Sequence, residues 1–262
     1  MAFQFIGISI EEGVAFLKIN RPPVNALGRQ LLDELGQAVD EIQNDPKAKV
    51  IVIASGVQNI FVAGVDLKEM AQITNPEEIV EMIRRGQSTF NKIENSQKPV
   101  IAAIQGVCVG GGQELIMACH IRISSDSFRT RFTQPEINLG IIPGFGGTQR
   151  LARIVGPSRA TELILTGDVI TPQEALRIGL VNHVVSDGAL LKTAKEIAKK
   201  IAKNGLPAIK AALRAIGKGL DLPLKEGLKA EEEEFKSIMG TNDMREGIRA
   251  FTEKRQPKFT DS

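Results

Sequence analysis

Two glutamates, Glu114 and Glu136, each stand beside a glycine-rich stretch, and no other pairing in the chain combines residue types so suited to catalysis. Glu114 closes the run Gly110-Gly111-Gly112-Gln113-Glu114. Glu136 ends Phe132-Thr133-Gln134-Pro135-Glu136, just upstream of Gly140 and the segment Pro143-Gly144-Phe145-Gly146-Gly147-Thr148-Gln149-Arg150. Two carboxylates can divide acid and base work on one substrate, and backbone N–H groups in a glycine turn can hold an oxyanion. That combination suits chemistry at the carbons next to a carbonyl, with no metal and no redox cofactor. Three glycines before a helical stretch let backbone approach a ligand without a Cβ in the way. The first N–H groups of a helix have no partner inside it, which makes Gly111 N–H a candidate oxyanion donor. A second donor is offered by Phe61-Val62-Ala63-Gly64-Val65-Asp66-Leu67-Lys68-Glu69-Met70. Each feature alone has a plainer explanation. A glycine triplet serves tight turns, and a glutamate in a first helical turn serves as a cap or dipole partner. Their joint placement is what argues for chemistry.

Other chemistries find less support. Gly144-Phe145-Gly146-Gly147-Thr148 lacks the lysine of a phosphate loop and the glycine spacing of a dinucleotide fingerprint. His120 and His183 have no ligand-like companions and read as structural residues, so no metal site is expected. Cys108 and Cys119 are too few for a disulfide framework and read as core. Ser55 and Ser124 have no nucleophile elbow around them. A net charge of +2 and the absence of Trp and Tyr argue against nucleic acid as a partner. Met1-Ala2-Phe3-Gln4-Phe5 lacks a charged leader followed by an apolar segment, and no apolar run approaches membrane-spanning length. A cytoplasmic protein that does not enter the membrane is expected.

The elements that must position the glutamates can be read from periodicity. Phe3–Ile10 and Val14–Asn20 flank Glu11-Glu12-Gly13 as a hairpin. Leu27, Leu31, Leu35, Val39 and Ile42 recur at helical spacing until Asp45-Pro46 stops them. Val50–Ala54, Ile101–Gln105 and Ile121–Ser124 read as buried strands, and Glu77–Ile93 as a helix with Ile79, Ile83, Phe90 and Ile93 inward. After Gln149 the one strand candidate is Leu180–Val185. Ala189–Lys203 carries Leu190, Leu191, Ala194, Ile197, Ala198 and Ile201 on one stripe. Glu231–Glu234 reads as an exposed helix face. Strands alternating with helices and then helices alone imply an α/β core over residues 1–204, with a helical region over 205–262 beyond the break at Gly205-Leu206-Pro207.

These motifs resemble the crotonase superfamily, and within it most closely the short-chain enoyl-CoA hydratases. The likeness runs from Asn20-Arg21-Pro22-Pro23-Val24-Asn25-Ala26-Leu27 through Ala63–Lys68, Gly106–Cys119 and Gln134-Pro135-Glu136 to Ile142–Leu151. It continues at Thr166-Gly167-Asp168, Ala175, Gly179-Leu180-Val181 and Glu246–Arg255. Val65 stands where alanine is usual, His120 where aspartate is common, and Arg129-Thr130-Arg131 is less typical. The resemblance implies a ββα-repeat spiral core with a helical C-terminal region used for trimerisation, in a homotrimer or homohexamer. It implies hydration of a trans-2-enoyl-CoA to a 3-hydroxyacyl-CoA by syn addition of water, as in fatty-acid β-oxidation, with CoA as part of the substrate and no other cofactor. Glu114 and Glu136 would flank C2 and C3, Glu136 as the principal acid and Glu114 orienting and deprotonating water. Ala63 and Gly111 would supply the oxyanion N–H groups, with Gly144 helping to hold the water region. Lys68, Lys254, Phe235 and Phe251 would serve CoA. Two other readings use the same fold. One is an enoyl-CoA double-bond isomerase, which needs one carboxylate and is disfavoured by Glu114. The other is an RNA-binding protein, disfavoured by the near-neutral charge and the intact glutamate pair.

Overall fold

The computed structural model describes residues 3–262. Strands β1 (Ile6–Glu11) and β2 (Val14–Ile19) form the expected antiparallel hairpin, with Glu11 opposite Val14 across a two-residue turn. Helix α1 (Arg29–Asn44) follows. Three units then repeat one plan of long strand, short strand and helix. The first is β3 (Val50–Ser55), β4 (Ile60–Val62), α2 (Leu67–Ala71) and α3 (Pro76–Glu94). The second is β5 (Val100–Ile104), β6 (Val107–Val109) and α4 (Gly111–Ala118). The third is β7 (Ile121–Ser125), β8 (Arg131–Thr133), a 3-10 turn over Pro135–Leu139, and helices α5 (Gly147–Val155), α6 (Pro157–Thr166) and α7 (Pro172–Arg177). Strand β9 (His183–Val185) and helix α8 (Leu190–Ala202) complete the core. Helices α9 (Leu206–Leu220), α10 (Leu224–Ile238) and α11 (Asn242–Thr252) end the chain.

Each unit sends its long strand to one sheet and its short strand to another. The large sheet has the order β1-β2-β3-β5-β7-β9 and is parallel beyond the hairpin, while the small one is β4-β6-β8 and wholly parallel. Both faces of the large sheet are covered. Ile51, Ile53, Val100, Ala102 and Ile104 pack into the cluster that contains Leu31, Leu35, Phe90 and Leu115. Val50, Val52, Ile101 and Ala103 point the other way, against Leu190, Ala194 and Ala198 of α8. Two buried faces explain why these strands read as unbroken Val/Ile/Ala runs and do not alternate with polar residues.

Several expectations need adjusting. Helix α1 begins at Arg29, two residues after Leu27, because Leu27 forms a parallel bridge with Val65. Leu191, expected on the buried stripe of α8, is 51% exposed. Leu180 is buried, but it lies before β9, which starts only at His183. Of the four adjacent glutamates, Glu231–Glu233 are exposed while Glu234 turns inward. It accepts hydrogen bonds from Arg214 Nε (2.7 Å) and Lys218 Nζ (2.8 Å), tying α10 to α9. The three-residue strands of the small sheet were too short to leave a periodic signal. No helix among the described residues is long and apolar enough to cross a membrane.

Candidate active site

The small sheet assembles the site. Its three strands run parallel, with Val62 beside Cys108 and Val109 beside Thr133, so the segments that leave their carboxyl ends emerge together. Open parallel sheets bind ligands at that end. Here the emerging segments are 63–66, 110–114 and 134–140, which carry Ala63, Gly111, Glu114 and Glu136. Gly110 joins two of them: its N–H donates to Thr133 O at 2.9 Å. Its φ of 53° and ψ of −121° suit glycine, and a Cβ at this position would lie 2.6 Å from Glu136 Oε1. The glycine therefore lets the chain turn into α4 and lets the Glu136 carboxyl come close to the backbone.

Glu114 lies in the first turn of α4 and is 1% exposed. Its Oε1 accepts two backbone hydrogen bonds, from Phe145 N (2.8 Å) and Gly147 N (2.7 Å). Burial pushes this carboxyl up to about 7; the charge of Glu136 pushes the same way, and the Gly147 and Phe145 N–H groups and Arg150 pull back. Glu136, in the 3-10 turn, is also raised by burial, and its Oε2 has no hydrogen-bond partner among the described residues. Gln134 stands just before that turn. Its Nε2 donates to Gly110 O at 3.2 Å, while its buried Oε1 is also without a partner. Burial raises both carboxyls, and the charge of Glu136 adds to the rise of Glu114, so the two titrations are linked and the pair is suited to divide acid and base work.

The donor positions differ from expectation at two points. Gly111 opens α4, so its N–H has no acceptor within the helix, and none is found among the other described residues. The Ala63 N–H, expected to be the second donor, is already committed: it donates to Val24 O at 3.1 Å. Ala63 is therefore corrected to a backbone contact. The free group in that segment belongs to Val65. In the Leu27–Val65 bridge the bonds are made by Gly64 O, which accepts from Leu27 N (2.8 Å), and by Asp66 N, which donates to Leu27 O (3.1 Å). A parallel bridge of this kind turns the middle residue's own N–H away from the partner strand. Val65 Cγ2 lies 3.5 Å from the position a Cβ on Gly111 would take, so the two free N–H groups belong to neighbouring turns. Gly144 does not join the glutamates through its N–H. Its carbonyl accepts from Gln87 Nε2 at 2.9 Å, and the donors to Glu114 come from the next residues, Phe145 and Gly147.

The structure thus brings Glu114, Glu136 and Gly111 together. It leaves Lys68, Phe235, Phe251 and Lys254 exposed, with none of them hydrogen-bonded or ion-paired to the glutamate group. Lys68 sits in the first turn of α2, whose N-cap Asp66 accepts from Lys68 N and Glu69 N and pairs with Arg21 Nη2 at 2.7 Å. A groove of about 700 Å³ runs between α1, α2 and α3, lined by Arg29, Asp33, Glu69, Ile73, Glu81 and Arg85 among others, and it contains neither glutamate. Four contributors were missed from sequence. Gln134 offered a signal, a polar residue two before Glu136. Val65 and the Phe145–Gly147 donors act through main-chain N–H groups and offered none. His120 matches its structural reading: its Nδ1 accepts from Val100 N at 2.9 Å.

The chain as a whole has relatives among known proteins. The family model described as enoyl-CoA hydratase/isomerase matches residues 9–262. A crotonyl-CoA hydratase of Syntrophomonas wolfei is 42% identical over 260 residues, covering 99% of each chain. A short-chain-enoyl-CoA hydratase of Clostridium acetobutylicum is 43% identical over 247 residues, 94% of each chain. The crystal structure of an enoyl-CoA hydratase from Bacillus anthracis superposes with a TM-score of 0.94 at 39% identity, covering 99% of this chain and 100% of that one. With one fold, nearly full-length identity and a family match that spans both glutamates and both glycine turns, the chain belongs to the enoyl-CoA hydratase/isomerase family.

Proposed function

We propose that the protein hydrates a trans-2-enoyl-CoA to a 3-hydroxyacyl-CoA, with Glu114 and Glu136 as the catalytic pair and no cofactor beyond the CoA of its substrate. The observation that carries this reading is the convergence of two raised carboxyls on the turn that exposes Gly111 N–H, with Val65 N–H beside it. As water adds at C3, negative charge moves onto the thioester oxygen, and N–H groups aimed at that oxygen lower the barrier. One such donor is typically worth about 10²–10³ in rate. The two N–H bonds on Glu114 favour its carboxylate form, which suits it to take the water proton as the water oxygen bonds to C3. Glu136, without such donors on Oε2, is suited to deliver a proton to C2. Both groups act on one face, which gives syn addition. The pair then resets by proton exchange when product leaves.

The CoA half falls to the exposed residues. Lys68 and Lys254 suit the phosphates, and Phe235 and Phe251 offer apolar faces. Phe235 is 61% exposed and Phe251 87%, as are Leu224 at 78% and Leu228 at 50% on α10, and a surface so apolar favours burial against further copies of the chain. A homotrimer or homohexamer is the assembly we propose, in the cytoplasm.

The test is crotonyl-CoA hydration followed by loss of enoyl absorbance. Wild-type protein turns the substrate over, and Glu114→Gln or Glu136→Gln each lowers turnover by about two to four orders of magnitude while CoA thioester binding survives. A single variant that hydrates crotonyl-CoA near the wild-type rate refutes the role given to that residue.

A further inference from the structure

Glu114 depends on two N–H groups where a loop enters α5, from Phe145 in the loop and Gly147 at the helix start, and a loop does not hold such geometry by itself. One side chain ties the turn from Phe145 to Gly147 to α3 by hydrogen bonds. Arg150, on the first turns of α5, folds back so that Nη1 donates to Phe145 O at 2.9 Å. Its other donors reach α3: Nη2 to Asn91 Oδ1 (2.6 Å), and Nε and Nη2 to Glu94 Oε2 (3.1 and 2.6 Å). Arg150 is 8% exposed. Gly146, with φ of 112°, makes room for it, since a Cβ there would lie 2.3 Å from Arg150 Nη1. The Phe145 ring is pinned on the same side, edge-on to Phe90 at 5.7 Å between centroids.

We infer that Arg150 is a positioning residue for the reaction: it fixes the Phe145–Gly147 turn against α3 and so presents two N–H groups to Glu114. The inference rests on the proposed role of Glu114 as the base. Arg150 is also the cation that faces this carboxyl, and its charge lowers the Glu114 midpoint as the two N–H groups do. The other groups around Glu114 are few. Glu136 faces it from the 3-10 turn, and Glu94 of α3 stands behind Arg150. Strands β4 and β6 contribute only apolar side chains and the Cys108 thiol, and His120 is held below its ordinary value by burial and then by Arg122, with Glu94 opposing. Loss of Arg150 removes a cation and loosens two donors, and both changes make the carboxylate harder to form.

The experiment is a titration of the Glu114 carboxyl by infrared difference spectroscopy in the full-length protein, with Glu114→Gln to identify the band. It is run on wild type, Arg150→Met and Arg150→Lys, alongside the pH profile of kcat/KM. Arg150→Met should raise the midpoint by about one pH unit, move the acidic limb of kcat/KM with it, and lower kcat about tenfold or more with little change in KM. Arg150→Lys keeps the charge but cannot reach Phe145 O, Asn91 and Glu94 together, so it should fall between. A folded Arg150→Met protein with the wild-type midpoint and limb overturns the inference. If that variant does not fold, Arg150→Lys decides by the same midpoint, and an unmoved value refutes it. A wild type that leaves crotonyl-CoA unhydrated would defeat the proposed function and still leave the infrared midpoint to judge Arg150.

Discussion

Replacing the base should make the protein more stable, and by an amount that depends on pH in a stated direction. Glu114 is 1% exposed, and its folded midpoint lies at about 7 against an ordinary carboxyl value of 4.5. The folded state therefore holds this proton more tightly than the unfolded chain does. The stability this confers is fully present below pH 4.5 and is lost as pH rises through about 7. At about 1.4 kcal/mol per pH unit, the gap between the two midpoints amounts to about 3 kcal/mol. Glutamine has a carbonyl to accept the Phe145 and Gly147 N–H bonds and no charge to bury. Urea unfolding of wild type and Glu114→Gln at pH 5, 6, 7 and 8, at one protomer concentration, measures the difference. The variant should gain on wild type by about 2.5 kcal/mol between pH 5 and pH 8, while losing turnover at every pH. Using the pH dependence of the difference cancels whatever the amide does to packing. If the two stability curves run parallel within about 0.5 kcal/mol, which is the scale of an ordinary surface substitution, Glu114 does not bear the buried charge assigned to it, and its fitness as a base falls as well.

Gly110→Ala should cost about 10² or more in turnover, because the new Cβ meets Glu136 Oε1 at 2.6 Å and strains a φ of 53°; wild-type kinetics in that variant would show that Glu136 has no need of its place beside the glycine. Light scattering should return a trimer or hexamer for wild type, and Leu224→Glu with Leu228→Glu should shift it toward smaller species, since both side chains are at least half exposed in the single chain. A wild-type monomer would defeat the assembly proposal and leave the C-terminal apolar faces unexplained.

How much of this was legible in the sequence follows from what kind of group does the work. Glu114, Glu136 and the glycine triplet act through residue type, so their motifs announce them. The long strands of the large sheet were legible for a similar reason: burial on both faces demands unbroken apolar runs such as Val50–Ile53. The small sheet was not, although it is what brings the segments of the site together. Three residues carry no periodicity, and Ile60–Val62, Val107–Val109 and Arg131–Thr133 become strands only because the longer strands before them bring them alongside.

Main-chain groups are the harder case, and the exchange of Ala63 for Val65 shows why. Any residue but proline carries an N–H, so composition does not say which one is free. Freedom here is decided by a segment 37 to 39 residues earlier in sequence, since Val24 O takes the Ala63 N–H and Leu27 takes the bonds on either side of Val65. Asn25 holds that segment in place, with Nδ2 donating to Ser55 Oγ and Phe61 O, both at 2.8 Å. The stretch Asn20–Leu27 thus does no chemistry of its own, yet it selects the donor. A change there that released Val24 from Ala63 would leave two N–H groups competing for one oxygen. The pattern around the oxyanion turn is therefore a property of two distant segments together, and a reading confined to Phe61–Met70 has no physical basis for preferring one N–H over the next.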